Sequence, residues 1–271
     1  MAPLVTVVVP THTNGLTLLA SVPSALAQTH SELEVLIVGD GISEEGRRAA
    51  RELEEGDPRV RLLDFPKGAR LGEENRAAAL DAATGEAVFY LSDDDLWLPH
   101  HVESLLELLD GADFAGATVV AVDLYGGMRL LPHDLADERW RKVFVRGHNR
   151  LPLSGGAHTK AAYGELAPGW RPSPEDVAAD LNFFRGFLRN PRCAAASCPR
   201  PSALKFAAEA RASMTGSERL AELWGWLERI WDPQALRDLE DEMSDLWRAL
   251  ALDRDLRLRR RRVRRMRGAT G

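Results

Sequence analysis

The feature that most constrains the fold is an alternation of short apolar runs with helix-periodic segments over the first 125 residues. The runs are rich in β-branched residues and several end in Gly, Pro or Asp, as buried strands do. They are Val5–Val9, Leu33–Val38, Val60–Phe65, Ala87–Leu91 and Phe114–Leu124. The helical segments between them are Leu16–Ala27, Glu44–Glu55, Glu73–Ala83 and His100–Leu109. This order predicts an α/β fold with a mostly parallel sheet flanked by helices on both faces.

The remainder of the chain loses this alternation. Residues 126–170 contain many Gly, Pro, His and Arg residues, which is typical of loops beside a site. The sequence turns helical from Ser173, and residues 202–255 predict two helices divided by Pro233. We therefore predict one α/β domain over residues 1–200, followed by a helical extension over residues 201–271.

Composition narrows the class of protein. The 271 residues carry a formal net charge of −6, yet residues 253–271 hold nine Arg against two Asp, so the body is strongly acidic. An acidic body argues against nucleic-acid binding. No apolar run is long enough to span a bilayer, and Cys193 and Cys198 are the only cysteines. The first residues lack a charged region and a cleavage site, so we expect no secretory signal. We expect a cytoplasmic protein whose basic tail is a solvated end, a peripheral membrane contact or a docking strip for an acidic partner.

Three consecutive carboxylates, Asp93, Asp94 and Asp95, directly follow the fourth predicted strand. Adjacent carboxylates repel one another unless a cation or hydrogen-bond donors compensate their charge. Mg²⁺ or Mn²⁺ bridging to a diphosphate would do so, since hard divalent ions prefer oxygen ligands. The alternative is a solvated Asp-rich turn before the next helix. The cluster alone leaves both interpretations open.

Other polar residues stand at neighbouring strand ends, where ligands of parallel sheets bind. Asp40 lies between two glycines, which would allow a base or ribose to approach closely, although such a triplet is also a common turn. Thr11 follows Pro10 and is either a helix N-cap or a contact to a base. Arg76 precedes the aspartates and is either a surface arginine or a phosphate ligand.

Five segments, taken in order, resemble the opening of family 2 glycosyltransferases. They are Val7–Thr11, Ser24–Thr29, Glu34–Gly41, Asn75–Glu86 and Tyr90–Pro99. The resemblance covers about residues 3–110 and implies a GT-A fold, with residues 1–125 as the nucleotide-binding half and 126–200 as the acceptor side. It also implies that Asp40 contacts the nucleobase, Asp93 the ribose or sugar, and Asp94 the metal. Gly39 and Ser92 depart from the family pattern, each standing where an Asp is usual.

The second half resembles the acceptor-side segments of some family members, from Ser154 to Trp170 and from Pro174 to Phe187. An inverting transferase needs a carboxylate that accepts the proton of the acceptor hydroxyl. Asp176 and Asp180 compete for this role, and the spacing from Trp170 favours Asp180. Residues 173–176 are also a good helix start, which by itself would explain Asp176. His158 is either a third metal ligand beside Asp94 and Asp95 or a local hydrogen-bonding residue.

These observations predict a glycosyltransferase of the hexosyltransferase type that acts in polysaccharide or glycoconjugate biosynthesis. Its donor would be a UDP-, GDP- or dTDP-linked sugar, its acceptor an unidentified hydroxyl, and its cofactor Mn²⁺ or Mg²⁺. One alternative is a catalytically inactive relative that binds a nucleotide sugar or a partner protein. The other is a nucleotidyltransferase, disfavoured because no Gly-rich phosphate loop with a lysine follows the first strand.

Overall fold

The computed structural model describes residues 2–13, 15–166 and 169–268, with side chains as far as residue 252. Its strands are β1 (Val5–Thr11), β2 (Leu33–Asp40), β3 (Val60–Phe65), β4 (Ala87–Tyr90), β5 (Leu96–Trp97), β6 (Phe114–Val122), β7 (Met128–Leu131), β8 (Gly156–Thr159) and β9 (Ala195–Phe206). Its α-helices are α1 (Leu18–Leu26), α2 (Glu44–Gly56), α3 (Glu73–Asp81), α4 (His101–Leu109), α5 (Glu138–Val145), α6 (Lys160–Glu165), α7 (Ala179–Arg189), α8 (Gly216–Trp231) and α9 (Pro233–Gly268). The predicted strands and helices of residues 5–124 are all present.

One sheet runs through the molecule in the order β3-β2-β1-β4-β8-β6-β9-β5, with β7 paired to β6. The first four strands are parallel, as predicted, and β1 lies between β2 and β4. The side chains of β1, β2 and β4 are almost wholly buried because helices cover both faces, whereas the edge strand β3 is largely half-buried or exposed. The carboxyl ends of β1, β2 and β4 therefore meet at one edge, which brings together the residues that follow them.

The second half of the sheet is mixed rather than parallel. Strand β8 runs antiparallel to both β4 and β6, whereas β9 is parallel to β6 and antiparallel to β5. The predicted helix over residues 202–206 is wrong, because these residues form the end of β9 and are mostly buried between β6 and β5. The predicted boundary at residue 200 falls inside this strand, so it does not coincide with a structural division.

The predicted helix start at Ser173 is also wrong. Residues 175 and 176 form a turn, and α7 begins at Ala179. The backbone N–H and the hydroxyl of Ser173 both donate to Oε1 of Glu73, at 3.0 and 2.7 Å. The serine therefore bonds to α3 instead of capping a helix of its own.

Helices α8 and α9 are separated at Pro233, as predicted. Helix α8 packs against α1 and the sheet, with Leu223, Leu227 and Ile230 in a core cluster that includes Leu96 and Leu204. No helix among the described residues is long and apolar enough to cross a membrane. The arginine side chains of the predicted basic tail, residues 253–271, lie outside the described residues.

Candidate functional site

A cleft opens at the edge where β1, β2 and β4 end. Predicted site residues from four separate segments line it, namely Thr11, Asp40, Arg76 and Asp93. Ser92 and Leu153 complete the side next to β8. The topology of the parallel half thus brings together residues up to 82 positions apart, as the Thr11–Asp93 hydrogen bond shows.

Asp40 is the best-satisfied carboxylate of the cleft. It accepts hydrogen bonds from Lys67 Nζ at 2.6 Å, the Gly68 amide at 2.6 Å and Asn75 Nδ2 at 2.7 Å. Burial alone would raise the pKa of Asp40, but Lys67 and the Gly68 amide lower it overall, so the group is ionised. Gly72 has φ +74°, and a Cβ there would lie 2.5 Å from Asp40 Oδ2, so a side chain at this position would displace the carboxylate.

The glycines beside Asp40 have structural roles in the turn. A Cβ on Gly39 would press on the Ile42 side chain, and Gly41 has φ +64° with Lys67 directly against it. The turn therefore requires glycine at position 41.

Arg76 is a half-buried cation whose donors are not all used. Its guanidinium lies 5.0 Å from the centroid of the Trp170 ring, and Nε and Nη1 have no hydrogen-bond partner among the described residues. Burial lowers the pKa of Arg76, an effect that the carboxylates of Glu73 and Asp180 oppose. A buried guanidinium remains charged, so two donors without partners at a cleft define a place for an anion.

The three consecutive aspartates have three different environments. Asp93 Oδ2 accepts from the Thr11 hydroxyl at 2.6 Å, and burial, together with the neighbouring charge of Asp94, raises the pKa of Asp93 to about 8. Asp94 Oδ1 accepts from Ser92 Oγ at 2.8 Å, and its Oδ2 accepts from Arg219 Nη2 at 2.5 Å. Asp93 alone of the three lines the cleft.

Asp95 bonds to the protein on both oxygens. Ser154 Oγ donates to Oδ2 at 2.5 Å and the Phe206 amide donates to Oδ1 at 2.9 Å. Burial raises the pKa of Asp95 to about 6, although the Lys205 ammonium acts in the opposite direction. Asp95 thus joins the loop after β4 to β9, and this environment does not fit its predicted role as a metal ligand.

His158 does not fit that role either. It is fully buried in β8 among Tyr90, Tyr163, Phe183 and Phe187. Burial lowers its pKa to about 4, so the ring is neutral. Its Nδ1–H donates to the Thr159 carbonyl at 2.9 Å, which leaves Nε2 to accept from the Tyr90 hydroxyl at 2.9 Å. Both nitrogens are therefore occupied within the aromatic core.

The two candidates for the proton acceptor differ in exposure and in hydrogen bonding. Asp176 is exposed in the turn before α7 and shares no helix face with Asp180. Asp180 lies in the first turn of α7, half-buried, and accepts from its neighbour's amide, Leu181 N, at 2.7 Å. Asn149 Nδ2 lies 3.2 Å from both carboxylate oxygens of Asp180, which fixes their orientation. The charge of Asp180 acts to raise the pKa of Arg76, which lines the cleft, and of Lys205.

The described residues do not fit the divalent ion that the family resemblance implies. No group of three or more His, Cys, Asp or Glu residues among them could hold a metal. Asp94, the predicted principal ligand, has each oxygen bonded to a protein donor. The arginine at Asp94 is the group that an ion would have to displace.

Similarity to known proteins agrees with this fold. Residues 6–159 match the family model described as Glycosyl transferase family 2. Because the match covers more than half of the chain, the protein belongs to this family, and its fold is of the GT-A type.

Two curated relatives illustrate the range of the match. The chain is 35% identical over 97 residues to an uncharacterized glycosyltransferase of Nostoc sp., covering 35% of this chain and 30% of that protein. It is 32% identical over 108 residues to the UDP-Glc:alpha-D-GlcNAc-diphosphoundecaprenol beta-1,3-glucosyltransferase of Escherichia coli, covering 39% and 41%. The chain thus spans less than half of either relative's length.

The crystal structure of S. aureus TarS 1-349 has the same fold. It aligns with a TM-score of 0.59 at 14% identity, covering 78% of this chain and 62% of that one. The same protein in complex with UDP-GlcNAc aligns with a TM-score of 0.57 at 15% identity, covering 75% and 58%. At this identity the likeness concerns the fold alone.

The structure adds residues that sequence patterns did not single out for the site. Arg219 and Lys205 reach the aspartates from α8 and β9, and Glu73 joins α3 to the segment before α7. Arg219 sits within an ordinary amphipathic repeat of α8, so nothing in its own sequence context distinguishes it. Ser154, which was noted only as part of an acceptor-side segment, accepts a hydrogen bond from the Ser92 amide at 3.0 Å.

Proposed function

We propose that this glycosyltransferase takes a sugar from a nucleoside diphosphate donor and transfers it, with inversion, to a hydroxyl group. The observation that carries the proposal is the buried guanidinium of Arg76, with two donors that lack partners among the described residues, in a cleft with Asp40 and Asp93. A diphosphate offers the anionic oxygens that such donors bind. The likeness to TarS, whose crystal structure contains UDP-GlcNAc, supports the same class of donor.

Each of these residues would contact a different part of the donor. We assign Asp40 and Thr11 to the base and ribose, because they close the end formed by β1 and β2. Arg76 would bind the diphosphate, and Asp93 the ribose or the sugar. The assignment of Asp40 to the base is the one that the family resemblance implies, and Lys67 and Asn75 hold this carboxylate in place.

Asp180 would accept the proton of the acceptor hydroxyl. In the proposed step the acceptor oxygen attacks the anomeric carbon, and the bond to the nucleoside diphosphate breaks with the electron pair leaving on the phosphate oxygen. The proton passes to the Asp180 carboxylate, which Asn149 and the Leu181 amide hold in place. Attack opposite to the leaving group inverts the anomeric centre.

A panel of UDP-, GDP- and dTDP-sugars tests this proposal through thermal unfolding and through release of free nucleoside diphosphate. One class of donor should raise the melting temperature, since only ligands of the folded state do so, and should be turned over slowly to nucleoside diphosphate. Arg76→Met should remove both effects. Protection without any turnover would support the inactive binding protein, and the absence of protection by every donor would contradict the proposal.

A further inference from the structure

Two cations from the C-terminal part of the chain reach the aspartate cluster. Arg219 on α8 is 5% exposed and binds Asp94, while its Nε is buried without a partner among the described residues. Lys205 on β9 lies close enough to Asp95 and Asp94 for their charges to raise its pKa. Within the part of the chain that the structure describes, the Lys205 ammonium has no hydrogen bond or ion pair. Both residues lie beyond residue 159, where the family match ends.

We propose that Arg219, with Lys205 beside it, takes the position and the role that a divalent ion would have at Asp94, so that donor binding in this protein does not require a metal. The inference rests on the proposed function for its substrate and on the Arg219–Asp94 pair for its chemistry. A guanidinium is permanently charged and its planar donors match phosphate oxygens, so it can neutralise a leaving diphosphate as well as the carboxylate it binds.

The structure of α8 fixes the position of Arg219. The Thr215 hydroxyl caps α8 by accepting from the Glu218 amide, and the Glu218 carboxylate accepts from the Thr215 backbone N–H, which fixes the first turn that carries Arg219. One turn further on, Leu223 is buried in the core. The helix is therefore held at both ends of this turn, and the arginine is directed at Asp94 by the fold.

Displacing Arg219 would be unfavourable. Its side chain is buried, and a metal that took Asp94 would leave the guanidinium without its counter-ion away from water. The same argument predicts the converse. Once the arginine is removed, Asp94 is left beside Asp93 as a buried carboxylate with the Ser92 hydroxyl but without its counter-ion, which is a favourable place for a hard cation.

The inference is tested with Arg219→Met in the full chain, using two readouts. Binding of UDP, GDP and dTDP is measured by titration calorimetry with EDTA and with Mn²⁺. Binding of Mn²⁺ alone is measured by electron paramagnetic resonance. The wild type should bind its nucleoside diphosphate equally well in EDTA and in Mn²⁺, and should bind no stoichiometric Mn²⁺. Arg219→Met should bind the nucleotide at least about tenfold more weakly in EDTA, regain affinity with Mn²⁺, and bind the ion by itself.

Arg229→Met is the matched control, since it removes an arginine from the same helix where the side chain pairs with Glu242 and packs on Trp226. It should behave as the wild type in both measurements. Arg219→Lys should keep part of the affinity in EDTA because it keeps the charge.

Two outcomes would overturn the inference. Stoichiometric Mn²⁺ binding by the wild type, with nucleotide affinity lost in EDTA, would show that the ion displaces Arg219. Unchanged nucleotide and Mn²⁺ binding in Arg219→Met would reduce the pair to a structural contact. If the wild type binds no nucleoside diphosphate at all, the proposed function fails. The resonance measurement on the ligand-free proteins still tests the inference in that case, because it shows whether Mn²⁺ binds only when Arg219 is absent.

Discussion

At the scale of single residues, three consecutive aspartates differ in their chemistry because their surroundings differ. Asp93 faces the cleft with a pKa raised to about 8 by burial and by Asp94, Asp94 is paired with Arg219, and Asp95 is bonded to Ser154 and the Phe206 amide. The position of the cluster was predictable, because polar residues at the carboxyl end of a buried strand mark a site. The partners were not, since Arg219 lies 125 residues from Asp94.

The assignment of the proton acceptor is a prediction at this scale. Asp180→Asn keeps the shape of the side chain but cannot accept a proton, so transfer should fall by about 10²-fold or more with donor affinity retained. Asp176→Asn changes an exposed turn residue and should leave the transfer rate within about twofold of the wild type. Rates and donor affinities of the two variants should be measured side by side. The reverse ranking would assign the chemistry to Asp176.

Glu73 offers a second prediction. It is fully buried, and its Oε1 accepts two hydrogen bonds from Ser173 while Oε2 accepts one from the Leu71 amide. Glu73→Ala should therefore lower the free energy of unfolding by roughly 2 kcal/mol or more, because two buried donors of Ser173 and the Leu71 amide lose their acceptor. Urea unfolding checks this value. Glu74→Ala, on the exposed side of the same helix turn, is the control and should change stability by less than about 0.5 kcal/mol.

At the scale of elements, the fold of the first half was predictable because its strand and helix pattern is compatible with a single arrangement. A β-branched run followed by a turn and an amphipathic helix is buried only in a parallel sheet with helices on both faces. Ser173 and the end of β9 were mispredicted for a shared reason. A serine followed by proline is a good helix start in isolation, and a short apolar segment suits helix and strand equally, so distant partners decide both. Here those partners are Glu73, 100 residues away, and β6.

Helix α8 allows a prediction about an element that serves the site. Its capping box joins Thr215 and Glu218 directly before Arg219. Thr215→Ala should lower the free energy of unfolding by about 1 kcal/mol, and Thr215→Ser should restore most of it because serine caps equally well. Denaturant titration of the three proteins provides the test. Equal stability of wild type and Thr215→Ala would mean that tertiary packing alone holds this end of the helix.

At the scale of the whole molecule, the C-terminal third is part of the sheet and of the site rather than an appendage. Strand β9 lies between β6 and β5, α8 covers the sheet, and Arg219 closes the aspartate cluster. Sequence patterns predicted the two C-terminal helices and their division at Pro233. They did not predict where these helices pack on the rest of the molecule, because packing depends on contacts between distant segments. The structures of the region before Ser173 and of the segment after Cys193 could not be predicted for the same reason.

The stability of the molecule should depend on pH through its buried histidines. Burial lowers the pKa of His133 to about 4, against about 6.5 in an unfolded chain. A depressed histidine pKa contributes stability above pH 6.5 that is lost as the pH falls toward 4. From pH 7 to pH 5 this residue should lose about 2 kcal/mol. The free energy of unfolding of the wild type, minus that of His133→Gln, should shrink by this amount, and a constant difference would contradict it.

The basic tail is a separate prediction for the whole chain. Its nine arginines in residues 253–271 give up to about 1 kcal/mol each near an anionic surface. We predict weak, salt-sensitive binding to anionic vesicles that disappears when residues 254–271 are deleted, with nucleotide binding retained. Co-sedimentation at low salt measures it. No difference between the full and shortened chains would leave the tail as a solvated end.

The central claim is that the cleft holds a nucleoside diphosphate, with its base at Asp40 and its phosphates at Arg76. Calorimetric titration of the preferred nucleoside diphosphate and of the matching nucleoside into wild type, Asp40→Ala and Arg76→Met tests it most directly. The account predicts that Arg76→Met weakens the diphosphate and leaves the nucleoside unchanged, because only the diphosphate has the anionic oxygens that Arg76 binds. Asp40→Ala should weaken both ligands. Undiminished diphosphate affinity in Arg76→Met, or no binding of any nucleoside diphosphate by the wild type, would contradict it.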